Sequence, residues 1–170
     1  AILLDFFSGF AQFGLLGFSI YYQLFLSFGS IFYVLLGAVF LFKALQSFFS
    51  SLSSWLSVIV VIFCSPLLHY VIYEPMMSHG LSFFACCLLF WYSVVFLKKE
   101  KIDSKTLIFL GLSIGLTVLV RWQNIIFVLF PAIIYLKKIQ ERKIITSKVF
   151  ISPLVVLLIL LPQFLMWKFL

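Results

Sequence analysis

Charge is what this chain lacks most. Only five of its 170 residues are Asp or Glu, and charged residues of both signs reach 10%, against about 25% in ordinary soluble domains. So few polar groups cannot coat a soluble fold of this size, which excludes a soluble enzyme. A disordered chain would need the opposite balance of high charge and low hydrophobicity. The three cysteines, Cys64, Cys86 and Cys87, lie inside apolar runs without metal-ligand spacing, so they form no disulfide scaffold and say nothing of redox compartment. Also missing are the Gly-rich phosphate loop and the HExxH, GxSxG and paired CxxC signatures. No inverted repeat of the transporter kind stands out. What the chain does have is apolar mass: 65% hydrophobic residues, with phenylalanine alone occurring 23 times. This composition predicts an all-α, polytopic transmembrane helical bundle.

A bilayer core of about 30 Å takes roughly 20 apolar residues per helix. Residues 24–42, 55–73, 80–97 and 149–167 meet that length or nearly so, and a further apolar stretch, 106–136, is broken only at Arg121, Trp122, Gln123 and Asn124. The net charge of +7 does not mark a nucleic-acid surface, because the basic residues sit in short clusters between apolar runs, which is a topology signal. With the link 98–105 (KKEKIDSK) placed in the cytoplasm, its four lysines share that side with Lys43 and the five basic residues of 137–148 (KKIQERKIITSK). Ten of the twelve basic residues then lie on one face, with Arg121 and Lys168 on the other. That asymmetry sets the expected orientation.

Both ends of 106–136 are then cytoplasmic, so the stretch must go out and return as a hairpin with Arg121 at its tip. At a 1.5 Å rise, the legs 106–120 and 125–136 reach about 22 Å and about 18 Å, short of the core. Arg121 is therefore expected below the outer surface, within the bundle, and the crossing segments number about six. Gly111 and Gly115 form a GxxxG that would let the outgoing leg pack closely on a neighbour. Pro131 is expected to kink the return leg. Residues 1–23, which include Asp5, are expected on the outer face as a loop, an interfacial helix or the end of a preceding crossing. Residues 24–170 carry the helices, and the whole of 1–170 reads as one partial transmembrane domain, a piece of a longer protein.

Ionisable groups at membrane depth default to functional hypotheses, and those outside the basic links gather on the outer face. Glu74, between Asp5 and Glu100 the only acid, is either a carboxylate held at the interface, able to orient a sugar hydroxyl or accept a proton, or a hydrated loop residue. Pro75 ends the preceding helix, and Ser78 or His79 can cap the next, near Gly80. His69 reads as a hydrogen-bonded interhelical residue. Arg121 offers a planar fork of donors suited to a lipid phosphate, against a structural salt bridge or snorkelling to interfacial lipid. Gln123 and Asn124 either add neutral donors or satisfy the broken backbone.

At Glu74, Pro75, Met77, Ser78, His79, Ser82, Phe83 and Phe84 the sequence resembles an "EP-x-MSH-x-x-SFF" stretch of membrane glycosyltransferases of the dolichyl-phosphate-mannose protein mannosyltransferase type, which have a C-type fold. Cys64, Ser65, Pro66, Leu67 and Tyr70 are similar to a preceding "G-T-P-L-x-x-Y" run. Gly111, Gly115 and Leu116 with Arg121, Gln123 and Asn124 are similar to "G-L-x-x-G-L…R-P-Q-N", Trp122 replacing the usual Pro. Pro162, Gln163, Trp167 and Lys168 resemble "P-Q-x-x-x-W-K", and the 29–37 stretch with Tyr33 resembles a third-helix pattern.

The resemblance implies an enzyme that moves a sugar from a polyprenyl-phosphate carrier to an acceptor hydroxyl on the non-cytoplasmic face, with inversion. In that reading Glu74 and His79 are catalytic, Arg121, Gln123 and Asn124 bind the donor phosphate, and Gln163 and Lys168 bind substrate. No cofactor or metal is implied. The partners are membrane lipids, the lipid-linked sugar and a protein or glycan acceptor, with no nucleic acid; association with other membrane subunits stays open. The place is a bacterial inner membrane, or the endoplasmic reticulum in a eukaryote. The family's acidic first outer loop has no counterpart here, and Asp5 does not match it. A polytopic transporter or flippase-like protein, with Glu74, His69 and His79 on an ion path, is the alternative, and a non-catalytic membrane scaffold is a third reading.

Overall fold

The computed structural model describes residues 20–75, 77–144 and 148–169, and the regular structure among them is helical throughout. The elements are α1 (Ile20–Leu45), α2 (Ser51–Phe63), α3 (Leu67–Tyr73), α4 (His79–Lys98), α5 (Ser104–Val120), a 3-10 helix (Trp122–Val128), α6 (Leu129–Gln140) and α7 (Ile151–Phe169). Apolar segments deprived of water must close their backbone hydrogen bonds internally, and helices do so within one segment. The polar links supply the caps. Ser50 accepts from the Ser53 amide at the start of α2, and Asp103 accepts from the Thr106 amide at the start of α5.

Four helical stretches are long and apolar enough to cross a bilayer: Ile20–Leu45, His79–Lys98, Trp122–Gln140 and Ile151–Lys168. The stretch expected as one crossing over 55–73 is instead a bent pair, α2 and α3, meeting at 54°, and makes a fifth span if counted as one. Pro66 explains the break. A proline disfavours helical geometry in the residue before it, so α2 closes with the Cys64 amide on the Val60 carbonyl, and the Ser65 hydroxyl accepts from the Leu67 amide to start α3. The sixth expected crossing falls short, because the 17 residues of α5 rise about 26 Å.

The return leg, in contrast, is longer than expected. Its seven 3-10 residues and twelve α residues rise about 32 Å together, enough for the core. Pro131 falls in the first turn of α6, just after the 3-10 helix passes into α-helix, so the discontinuity on this leg is a change of helix type. Residues 1–19 lie outside the described residues, and Ile20–Gln23, expected in the outer segment, form the first turn of α1.

Side-chain neighbours fix the directions. Gly80, Phe84 and Trp91 of α4 lie beside Ser30, Tyr33 and Phe40 of α1, so those two helices are parallel. In the antiparallel pair α4–α5, Ala85 faces Thr117 and Tyr92 faces Phe109. In the parallel pair α5–α7, the expected GxxxG contact is present: Gly111 lies against Ser152 and Val155, and Gly115 against Ile159.

The three basic links share one end of the bundle. Lys98 donates to the Ser47 carbonyl at 3.1 Å, and Lys138 donates to the Lys99 carbonyl. A buried cluster sits at this lysine end, built from Phe96 of α4, Leu107 and Leu110 of α5, Ile134 of α6 and the link residues Ile102 and Ile144. Arg121 and the start of α4 occupy the opposite end.

Candidate functional site

At the Arg121 end lie two chain breaks and the end of one helix. The α3–α4 turn carries Glu74 and His79, the α5–3-10 junction carries Arg121, and the last turns of α7 carry Gln163 and Lys168. Arg121 is extended, with φ −154° and ψ 127°, which stops α5 and swings the guanidinium toward the first residue of α4. Its Nη1 lies 2.9 Å from His79 Nδ1. A guanidinium can only donate, so Nδ1 is the acceptor and the ring's hydrogen sits on Nε2. Tyr70 of α3 stacks on the other face of the contact, its ring 3.7 Å from the imidazole centroid and within 16° of parallel. The imidazole is thus held by a donor in its plane and an aromatic over its face, the kind of support that fixes both tautomer and orientation.

Behind this pair a buried polar ladder joins α4 to the Arg121 segment. Asn124 Nδ2 donates to Ser82 Oγ at 2.8 Å and to the Thr117 carbonyl at 3.2 Å. The Thr117 hydroxyl lies 3.1 Å from the Ala85 carbonyl across the helix pair and 2.7 Å from the Ser113 carbonyl of its own helix. Ser82, Asn124 and Thr117 are all buried. Of the two roles open to Asn124, its amide fills the second: it satisfies a carbonyl that the end of α5 leaves without a helical partner. Asn124→Leu, close in size, is expected to leave that carbonyl and the Ser82 hydroxyl unpaired and to lower stability by about 1–2 kcal/mol. Equilibrium unfolding in detergent reads this out, and an unchanged midpoint would mean the ladder does not hold the helices.

The other expected residues are placed less tightly. Glu74 is exposed at the end of α3, where its amide donates to the Tyr70 carbonyl and its carbonyl accepts from Met77. Its carboxylate makes no ion pair among the described residues. Gln123 is exposed, Gln163 half-buried and Lys168 exposed. His69 is exposed and packs on Tyr73 of its own helix, so the interhelical hydrogen bond expected of it is absent among the described residues. Ser78 occupies the cap position of α4, but its side chain makes no capping bond.

Two contributors escaped the sequence reading. Tyr70 appeared there only as part of a motif, and Trp122 only as a replacement for proline. The Trp122 ring lies 5.2 Å from that of Trp167 and 5.8 Å from that of Phe164, and so packs the residue after Arg121 against the last turns of α7, which carry Gln163 and Lys168. Its indole Nε1 is buried without a hydrogen-bond partner among the described residues. An i, i+3 aromatic pair on α7 was the available signal.

Chemically, the end presents a guanidinium with no carboxylate partner among the described residues, an imidazole Nε2–H and an exposed carboxylate. No three His, Cys, Asp or Glu side chains among the described residues come together as metal ligands would. No family model matches the chain, and no characterised protein or solved structure matches it.

Proposed function

We propose that the chain belongs to a multi-pass membrane glycosyltransferase that moves a sugar from a polyprenyl-phosphate donor to an acceptor hydroxyl, with inversion, at the Arg121 end. The observation that supports this best is the pairing of Arg121 with a neutral imidazole. A buried or interfacial guanidinium normally finds a carboxylate, and this one keeps donors free for an anion. A phosphate is the anion whose oxygens match its fork.

In the reaction, the acceptor oxygen attacks the anomeric carbon as the carbon–oxygen bond to the phosphate breaks. The lipid phosphate leaves with the electron pair, and the hydroxyl proton passes to the Glu74 carboxylate. Arg121 meets the charge that grows on the phosphate, and His79 adds a donor through Nε2. Gln163 and Lys168, on the α7 turns against which Trp122 packs, serve substrate binding. Gln123 is free to add a neutral donor to the phosphate, whereas Asn124 supports the site from behind.

The orientation belongs to the same proposal: about six membrane segments, the short α5 among them, with the lysine end in the cytoplasm and the Arg121 end on the periplasmic or luminal face of a bacterial inner membrane or endoplasmic reticulum. With the native cysteines replaced by alanine, Met77→Cys is expected to react with an impermeant maleimide only from the outer face, and Lys101→Cys only from inside. Reversed labelling would overturn the orientation. For activity, membranes carrying the protein are expected to release polyprenyl phosphate from a labelled polyprenyl-phosphate sugar as the label passes to an acceptor. Movement of the intact lipid between leaflets without cleavage would establish the flippase-like alternative instead.

A further inference from the structure

Away from the Arg121 end, a groove of about 620 Å³ runs between α4 and α5 toward the lysine end. Its walls are apolar and aromatic, formed by Trp91 and Tyr92 on one side and Phe109, Leu112 and Leu116 on the other, and its mouth carries Lys99 and Lys105. The two walls run from Leu88 to Lys99 and from Leu116 to Lys105. At the helical rise each is about 17 Å long, close to half of a core of about 30 Å. The groove is therefore the length of one leaflet, open to lipid along its side and basic where the headgroups lie.

The mouth distinguishes this groove from an ordinary lipid-facing furrow. Its one acid, Asp103, is already engaged: the Thr106 hydroxyl, and after it Lys99, hold its carboxyl down at about 2. Lys99 donates to Asp103 at 3.3 Å and to the Thr106 hydroxyl at 2.6 Å, and an ammonium has a third donor left. Lys105 makes no ion pair among the described residues. One uncompensated positive charge and two free sets of donors thus stand at headgroup height over an apolar slot.

We propose that this groove binds one anionic phospholipid of the leaflet at the lysine end, with its phosphate at Lys99 and Lys105 and an acyl chain along Trp91, Phe109 and Leu112. Basic pockets between membrane helices recognise such headgroups by charge, and the apolar slot adds chain contacts that a charged surface alone does not supply. The site is independent of any sugar transfer at the other end.

The test compares lipid retained by the purified protein after reconstitution in phosphatidylcholine vesicles containing one-fifth phosphatidylglycerol, read by native mass spectrometry. Phosphatidylglycerol is expected to be retained in preference to phosphatidylcholine. Lys105→Ala is expected to reduce that preference about fivefold. Leu112→Trp fills the slot without changing charge and is expected to abolish it. Lys137→Ala, at the same end but outside the groove, is expected to leave the preference within twofold. Equal retention of the two lipids overturns the proposal, as does an unchanged preference in Lys105→Ala or in folded Leu112→Trp. An equal loss in Lys137→Ala would mean general surface attraction and would overturn it as well.

Discussion

Arg121→Ala is expected to lower sugar transfer from a polyprenyl-phosphate donor by about 10²–10³-fold, the usual loss when one preorganised donor to a developing oxyanion is removed. Insertion into the membrane should be unaffected, because Arg121 anchors no carboxylate among the described residues and the helices on either side are held by other contacts. Labelling at positions 77 and 101 provides that control. Arg121→Lys separates charge from geometry. A compact ammonium keeps the positive charge but has no planar fork with which to span His79 Nδ1 and a phosphate, so most of the loss should remain. His79→Ala should cost less than Arg121→Ala, since it removes one neutral donor and the group that aims the guanidinium. Transfer within threefold of the unaltered protein in Arg121→Ala would end the phosphate role.

The second large effect is steric. Gly111 and Gly115 let α5 lie against α7 so closely that side chains at either position would collide. A Cβ on Gly111 would sit 2.8 Å from the Ser152 carbonyl oxygen, and one on Gly115 would sit 2.7 Å from the tip of Ile159. The first obstacle is backbone, with Val155 Cβ also at 2.8 Å, and cannot turn aside; at the second the tip can rotate, which leaves Ile159 Cβ at 3.0 Å as the milder obstacle. Gly111→Ala is accordingly expected to destabilise by about 1–3 kcal/mol, the usual cost of overpacking, and more than Gly115→Ala. Gly111→Leu should separate the helices outright. Thermal unfolding in detergent gives the order. A second readout is the near-ultraviolet circular dichroism of Trp122 and Trp167, whose rings are 5.2 Å apart: separation of α5 from α7 should flatten it. A Gly111→Leu protein with unaltered midpoint and spectrum would refute the contact.

Much of the fold was legible because a membrane leaves few choices. Apolar runs and the clustering of basic residues were enough to place the lysine links at one end and Arg121 at the other, and the small residues at 111 and 115 marked a close helix contact. The break at Pro66 was hidden because the residues around it are apolar, and length and hydropathy alone cannot distinguish one straight span from two helices at an angle. The return leg was underestimated mainly because helix continues through the polar residues 122–124 and the basic residues that follow 136, out to 140; the faster rise of 3-10 geometry adds only about 4 Å. Within the site, Arg121 stood out as a costly charge, but its partner is 42 residues away, and only the antiparallel register of α4 and α5 brings His79 to it. Asn124 had two open roles because its choice depends on whether Ser82, on another helix, lies within reach.

That register has a mechanical meaning. The bundle contains two parallel pairs, α1 with α4 and α5 with α7, each seated on glycines that permit little slack. Between them runs the seam of α4 against α5 and the 3-10 helix, with hydrogen bonds from Asn124 to Ser82 and from Thr117 to the Ala85 carbonyl, and with Arg121 and His79 at its outer rim. Sliding one pair past the other by a single residue would displace the seam by about 1.5 Å, which would part a contact of 2.9 Å. The rim contact therefore works as a vernier on the alignment of the two halves: small slips there would be read first by the guanidinium, well before either pair came apart.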